Sequence, residues 1–320
     1  MDKTKNSTFS PVLGLVFGIL AVSSASLLIR FAQKEASSLV IAAFRMVLAA
    51  VIVAPFCWGS FKEEVKKIRK KTIFLLALSG TFLALHFVFW ITSLEYTSVA
   101  SSVVLVTTAP LWVALLSPVF LKEKITRWVL IGLIVSLTGS VIVGLSSGCS
   151  FNYSVLSCED LAMTFHGRMF VGDLMALAGA FLSAGYLMIG RKVRSEVSLS
   201  SYIFSVYSTS AVILLLLVWV TGAKISGFSG QIYLWLFALA IVPQVIGHSV
   251  FNWALKYLSA AYVSIALLGE PIGTVILTMI FLHESPSIME LAGGLFILTG
   301  IVLATRNETS NNNLNENKVL

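Results

Sequence analysis

The chain has 320 residues, of which only 12% are charged and 57% are hydrophobic, and its mean hydropathy is +0.92. Soluble domains carry about twice that charged share, so the composition argues against a soluble protein and predicts an all-α integral membrane protein. The net charge of +7 lies in short clusters between apolar runs, which argues against nucleic acid as a partner and favours the lipid bilayer.

Ten apolar runs are long enough to cross a bilayer as helices, which takes roughly 17–25 residues. In chain order they lie at 11–31, 38–58, 73–93, 98–119, 127–147, 171–190, 200–221, 232–254, 259–281 and 286–304. Most connections are short, so consecutive helices are predicted to be antiparallel. The longest polar connection carries Cys149 and Cys158, and in an oxidising compartment these could form a disulfide, which the sequence leaves open.

Lysine and arginine predict the orientation. With the N-terminus in the cytoplasm, 17 of the 22 basic residues fall on the inside, four fall on the outside, and Arg45 lies within a span. This asymmetry follows the positive-inside rule. A multi-pass protein of the plasma (inner) membrane with both termini in the cytoplasm is therefore expected.

An internal repeat relates the two halves of the chain. A shift of 161 residues aligns 87–142 with 248–303 without a gap and gives 15 identities in 56 positions. Five helices per repeat is an odd number, so the second repeat must enter the membrane inverted, an arrangement typical of secondary transporters. The predicted segments are a cytoplasmic tail at 1–10, a first five-helix repeat at 11–147, an extracytoplasmic loop at 148–170, a second five-helix repeat at 171–304 and a disordered cytoplasmic tail at 305–320.

Two stretches at equivalent repeat positions carry a family resemblance. They are LEYTSVASSVVLVTTAPLWVALLSPVFLKEKIT in the first repeat and LKYLSAAYVSIALLGEPIGTVILTMIFLHES in the second, each followed by a glycine-bearing helix. The chain resembles the ten-helix EamA-type branch of the drug/metabolite transporter superfamily. The resemblance implies a carrier fold over about 11–304, and a substrate class that spans amino acids, nucleobases, S-adenosylmethionine and nucleotide sugars. The chain departs from the family's pattern at 21–26, AVSSAS, where such proteins often carry a tryptophan.

Two prolines, Pro110 and Pro271, fall at equivalent positions inside predicted spans. A proline inside a helix removes one backbone hydrogen bond, and within a membrane the freed carbonyl must find another partner. A packing kink explains both residues, and a hinge or cavity lining is the alternative.

Glu270 is the sharpest functional candidate, because an acid at membrane depth is expensive and is usually paired or used. It could carry a coupling proton, bind a substrate amine, or pair structurally with a basic residue. Arg45 is predicted at a similar depth and is its natural partner, unless Arg45 binds a substrate carboxylate instead. The counterpart of Glu270 in the first repeat is Ala109.

Further polar groups within the predicted spans mark a second candidate for the substrate or proton path. Gln244, His248 and Asn252 are spaced by four and form a polar stripe on the eighth helix, while His86 and Trp90 lie on the third. Each histidine is more often a satisfied helix–helix contact than a proton relay. No metal-ligand spacing and no cofactor motif is found, so neither is expected.

The sequence therefore predicts a secondary transporter, not an enzyme. It is expected to move a small organic metabolite, an amino acid or similar compound, by alternating access, with protons as the candidate coupling ion. The alternatives are a carrier of a nucleotide-type metabolite such as S-adenosylmethionine or a nucleotide sugar, and an intramembrane enzyme. The glycine pairs Gly14/Gly18 and Gly269/Gly273 permit close helix contact, within the chain or in a homodimer, which is left open.

Overall fold

The computed structural model describes residues 10–97, 102, 105–123, 125–145, 149–152, 155–158, 168–282 and 288–305. Most of the predicted terminal tails, the start of the fourth predicted helix and much of the predicted 148–170 loop lie outside these residues. With no water in a bilayer to bond the backbone, apolar segments satisfy their own N–H and C=O groups as helices.

The first repeat forms five helical segments in the described part of the chain. They are α1 (Pro11–Ser23 and Ala25–Ala32), α2 (Ser38–Glu64), α3 (Lys70–Tyr96), α4 (Ala109–Phe120) and α5 (Arg127–Leu145). A short antiparallel hairpin follows, with β1 (Cys149–Asn152) and β2 (Val155–Cys158), in which Cys149 lies opposite Cys158.

The second repeat forms the other five helical segments. They are α6 (Arg168–Val193), α7 (Leu199–Thr221), α8 (Gly230–Leu239, the π-helical stretch Ala240–His248 and Ser249–Ala254), α9 (α9a, Ala260–Ala266; the 3₁₀ turn Leu267–Gly269; and α9b, Glu270–Leu282) and α10 (Ile288–Thr305). Serine hydroxyls cap the starts of α7 and α9a, where Ser198 and Ser259 accept the N–H groups of Ser201 and Tyr262.

Six helices of the described chain are long and apolar enough to cross a membrane, and three shorter apolar helices lie at 109–120, 127–142 and 291–304. The prediction of a ten-helix integral membrane protein built from two inverted repeats is confirmed.

A pseudo-two-fold axis passes between α5 and α10, which pack along their lengths. The Ser136 hydroxyl donates to the Ile297 carbonyl at 3.3 Å, and these two residues are related by the 161-residue shift. On either side, Gly132 faces Gly300 and Gly139 faces Gly293, and a Cβ on Gly132 or Gly139 would lie 2.5 Å from the facing carbonyl oxygen. Residues that meet their own repeat counterparts must lie on the axis that exchanges the two halves.

The remaining helices pack in pairs that the same shift exchanges. Helix α3 packs against α6, and its counterpart α8 packs against α1, while α2 packs against its own counterpart α7. The polar contacts at the helix ends follow the same symmetry: Gln33 donates to the Ile91 carbonyl at 3.2 Å, and Arg194 donates to the Asn252 carbonyl at 3.1 Å.

One contact at the predicted cytoplasmic side breaks this symmetry. Arg191 Nε donates to Glu123 Oε1 at 2.7 Å, and its Nη1 donates to the Leu255 carbonyl at 2.9 Å, which ties the ends of α4, α6 and α8 together. The repeat counterpart Arg30 is exposed and forms no ion pair in the described chain. The counterpart of Glu123, Glu284, lies outside the described residues.

Three of the four glycines considered for dimer contacts pack within the chain. A Cβ on Gly18 would lie 3.2 Å from the Val250 side chain, and one on Gly269 would lie 3.2 Å from Ile19. A Cβ on Gly273 would collide with Ser23. These three glycines therefore let α1 approach α8 and α9 closely.

Candidate functional site

Both repeats interrupt a helix at the same place. Thr107 and Thr108 form a turn before α4 begins at Ala109, and the 3₁₀ turn at 267–269 comes before α9b begins at Glu270. The sequence predicted Pro110 and Pro271 inside membrane spans, as packing kinks or as a hinge or cavity lining. In the structure each proline is the second residue after the turn, where its missing N–H would have no helical partner. The backbone stays in the helical region through both turns, so each proline follows a local tightening of its helix.

Helix α1 holds the interruption in α9. The Ser23 hydroxyl lies 2.7 Å from the Ile19 carbonyl and 2.9 Å from the Glu270 carbonyl. The Thr274 hydroxyl lies 3.0 Å from the Ser23 carbonyl and 3.1 Å from the Glu270 carbonyl. These contacts fix the start of α9b against the first repeat.

A cavity lies beside the two interruptions and is lined by both repeats. It has room of about 60 Å³ for molecules the size of water, and about 560 Å³ when all space between atoms and the open solvent are counted. Six of the predicted site residues line it: Arg45, His86, Trp90, Pro110, His248 and Glu270. Gln244, Asn252 and Pro271 do not line it, and polar residues that the sequence did not single out, Thr107, Ser183 and Ser264, do. Single serines and threonines are common in membrane helices, so nothing in their spacing signalled this role.

Arg45 is fully buried in α2, with 0% of its surface exposed. Its Nε donates to Gln244 Oε1 at 2.8 Å, and its Cζ lies 4.0 Å from the centre of the Phe87 ring. The other two guanidinium nitrogens, Nη1 and Nη2, are buried and have no hydrogen-bond partner in the part of the chain that the structure describes. Gln244 and Phe87 therefore orient the guanidinium and leave one edge of it free.

Glu270 is the first residue of α9b and is partly buried at the cavity wall. A carboxylate at the start of a helix is stabilised by the positive end of the helix dipole. Arg45 and Glu270 make no direct ion pair, since Arg191 and Glu123 form the only one among the described residues, although the two charges interact across the cavity. The structure thus places an acid and an arginine in one cavity without joining them.

His86 and Trp90 form an aromatic wall on α3. Their rings stack at 5.8 Å with 16° between the planes. His86 Nδ1 lies 2.9 Å from the Gly179 carbonyl, and because a carbonyl only accepts, Nδ1 carries the proton. Trp90 Nε1 is buried without a partner.

The polar stripe of α8 faces the protein interior. Gln244 and Asn252 are both 0% exposed. Asn252 Oδ1 accepts from the Tyr186 hydroxyl at 2.6 Å, and the Tyr207 hydroxyl donates to the Gln244 carbonyl at 3.1 Å. The His248 ring lies 5.5 Å from Phe87. The stripe was predicted on a regular α-helix, whereas the structure widens this helix to a π-helix at Ala240–His248, a distortion that often marks functional sites.

Three comparisons with known proteins bear on this arrangement. The model of the EamA-like transporter family matches residues 9–145 and 170–306. An uncharacterized transporter of Clostridium kluyveri is 27% identical over 276 residues, covering 85% of this chain and 84% of that protein. The uncharacterized transporter YxxF of Bacillus subtilis is 24% identical over 263 residues, covering 81% and 79%.

A solved crystal structure superposes on the fold with a TM-score of 0.73 at 16% identity, covering 92% of this chain and 96% of that chain. At that identity the likeness concerns the fold. Among the described residues no group of three or more His, Cys, Asp or Glu side chains could hold a metal ion.

Proposed function

The chain belongs to the EamA-like transporter family, and on that premise we propose that it is a secondary carrier that moves a small organic metabolite by alternating access. The metabolite is an amino acid or a similar compound. The cavity between the two repeats is its binding site, and the repeats rock about it to open it to one side at a time.

The observation that carries this proposal is the position of the cavity. It lies beside two helix interruptions at equivalent repeat positions, and both Ala109 and Glu270, the first residues after those interruptions, line it. Interrupted helices at a repeat interface are where secondary transporters bind substrates and coupling ions. Lining from both halves lets a relative movement of the halves open and close the same site.

Proton coupling is assigned to Glu270. No phosphate-binding GxxxxGK[ST] motif occurs in the sequence, so the energy is expected from a gradient. Glu270 is the only acid that lines the cavity among the described residues. A carboxyl that is protonated on one side of the membrane and deprotonated on the other carries one proton with each cycle.

The family membership and the relatives' names favour transport over an intramembrane enzyme. For the location, we propose the plasma membrane with both termini in the cytoplasm, on the strength of the lysine and arginine asymmetry. Three glycines of the candidate dimer motifs are already used for packing inside the chain, so a single chain is the proposed transport unit.

Reconstitution tests this function. The purified protein is placed in liposomes that contain a pH-sensitive dye, and a mixture of amino acids is added outside. We expect proton movement that depends on the amino acids, its loss in Glu270→Gln, and its retention in Glu63→Gln, which removes an exposed acid at the end of α2. Full pH-dependent transport by Glu270→Gln would refute the coupling role, and no flux of any metabolite by the wild type would refute the carrier.

A further inference from the structure

We propose that Arg45 binds the carboxylate of the transported metabolite, so that the substrate is a small organic acid held by its carboxylate to the first repeat. This inference rests on the proposed transport function and names the substrate group that the cavity recognises. It assigns Arg45 as an anchor for the substrate and not as the structural partner of Glu270.

The Arg45 guanidinium is held in one orientation and has a free edge that can bind a ligand. Its Nε is occupied by Gln244 at 2.8 Å and its face is covered by the Phe87 ring at 4.0 Å, so it cannot turn freely. The edge that carries Nη1 and Nη2 has no hydrogen-bond partner among the described residues, although Arg45 is 0% exposed and lines the cavity. Two parallel N–H groups of an arginine match the two oxygens of a carboxylate.

No side chain of the described residues accepts a hydrogen bond from that edge. Glu270 lines the same cavity and makes no direct ion pair with Arg45, so the two charges act on each other only across the cavity. The other unpartnered groups near the cavity are donors as well: Trp90 Nε1 in its wall and Gln244 Nε2 behind Arg45. A buried donor without an acceptor is unfavourable, so this excess of donors favours a ligand that brings negatively charged oxygens.

The residues that the two repeats place at the cavity wall also differ, and the difference favours binding of an anion. In the second repeat the acid Glu270 occupies the first position of α9b, whereas in the first repeat the equivalent position is Ala109. The positive end of α4 therefore lies at the cavity wall without a carboxylate of its own. This effect adds to the field of Arg45, while Glu270 remains free for a proton or a substrate amine.

The rest of the cavity suits a compact apolar body. Val22, Val106, Leu267 and Leu268 line it together with the Trp90 ring. Of the described residues on the cavity wall, Arg45 is the only arginine or lysine, which fits a singly charged carboxylate better than a phosphate with two charges. The expected ligands are small carboxylic acids with apolar side groups.

Binding to purified protein in detergent tests this inference without transport. The probes are leucine, 2-hydroxy-4-methylpentanoate and 4-methylpentanoate, each measured beside its amide, by thermal shift and then calorimetry. We expect at least one acid to bind and its amide to bind at least tenfold more weakly. Arg45→Gln should weaken binding of that acid roughly 10- to 100-fold, the range for hydrogen bonds to a charged group, and Arg45→Lys should restore part of it.

Arg30→Gln is the matched control, because it removes an exposed arginine outside the cavity, and it should bind the acid as the wild type does. Equal binding of acid and amide, no binding of any acid, or unchanged binding in a folded Arg45→Gln protein would overturn the inference. Acid binding through Arg45 with no flux in liposomes would refute the carrier alone. Flux that survives in Arg45→Gln would refute the anchor alone.

Discussion

The contact between α5 and α10 makes a sharp prediction for Gly139→Ala. A methyl group at this position would lie 2.5 Å from the Gly293 carbonyl oxygen and 2.8 Å from the Ile297 backbone nitrogen. Carbon atoms need about 3.5 Å or more from non-bonded neighbours, so the helices would have to separate by roughly 1 Å. Both neighbours are backbone atoms, and no side-chain rotation can relieve the clash.

Overpacking of a well-packed contact typically lowers stability by about 1–3 kcal/mol. We expect Gly139→Ala to lower the free energy of unfolding by that amount. Gly132→Ala should do the same, because its methyl group would lie 2.5 Å from the Gly300 carbonyl oxygen. The two sites are symmetry-related, so their effects should be of similar size.

Gly59→Ala is the matched control, since Gly59 is an exposed position within α2 with nothing within 4 Å of a Cβ. Alanine is about 1 kcal/mol better than glycine in a helix interior, so this variant should be no less stable than the wild type. The assay is thermal unfolding of all three variants in one detergent. If Gly139→Ala unfolds at the same temperature as Gly59→Ala, the close α5–α10 packing is refuted.

Three further predictions concern contacts at the helix ends and in the β1–β2 hairpin. Reversing one charge of the Arg191–Glu123 ion pair, by Glu123→Arg or Arg191→Glu, should lower the melting temperature, and reversing both should recover part of the loss. The pair is partly exposed, so its coupling energy should be about 1 kcal/mol or less. A double variant no more stable than the worse single variant would contradict the contact. Cys149 and Cys158 lie directly opposite each other in the hairpin, a spacing that fits a disulfide. In protein whose hairpin faces an oxidising compartment, both thiols should resist alkylation until they are reduced, and alkylation without reduction would disprove the bond. The backbone N–H of Ser229, just before α8, donates to the Glu35 carboxylate at 2.7 Å and lowers the pKa of Glu35. The stability from this contact is present above the ordinary glutamate pKa and is lost as the pH falls through the lowered pKa. Glu35→Gln should therefore reduce the dependence of the melting temperature on acid, and an unchanged profile would exclude the contact.

The fold could be predicted from the sequence because its two main signals are physical and global. Long apolar runs specify membrane helices, and a repeat with an odd number of helices requires inversion. The interruptions could not be placed in the same way. A proline predicts that a helix is disturbed, but Pro110 and Pro271 fit equally well inside a kinked helix and at the start of a new one. Their placement depends on contacts such as that of Ser23 with the Glu270 carbonyl, which are distant in sequence.

The charged residues of the candidate site could be predicted, because charged side chains are rare in membrane helices. Arg45 and Glu270 are conspicuous in apolar helices, and depth counting placed them at similar levels. Their relation was not predictable, because whether two residues at one depth pair depends on which helices are neighbours and how each is rotated. The π-helical stretch that contains Gln244 also contains Pro243, which signals a disturbed helix but not which hydrogen bonds shift by one residue.

The divergence of the two repeats has a consequence for how such a protein can be assembled. Under the 161-residue shift, Arg45 corresponds to Val206 and Glu270 corresponds to Ala109. An antiparallel homodimer of the first repeat would therefore present two arginines and no acid to its cavity, and a homodimer of the second would present two acids and no arginine. Only an assembly with one copy of each half brings one charge of each sign to a single binding site, and the covalent link between the halves guarantees that pairing in every molecule.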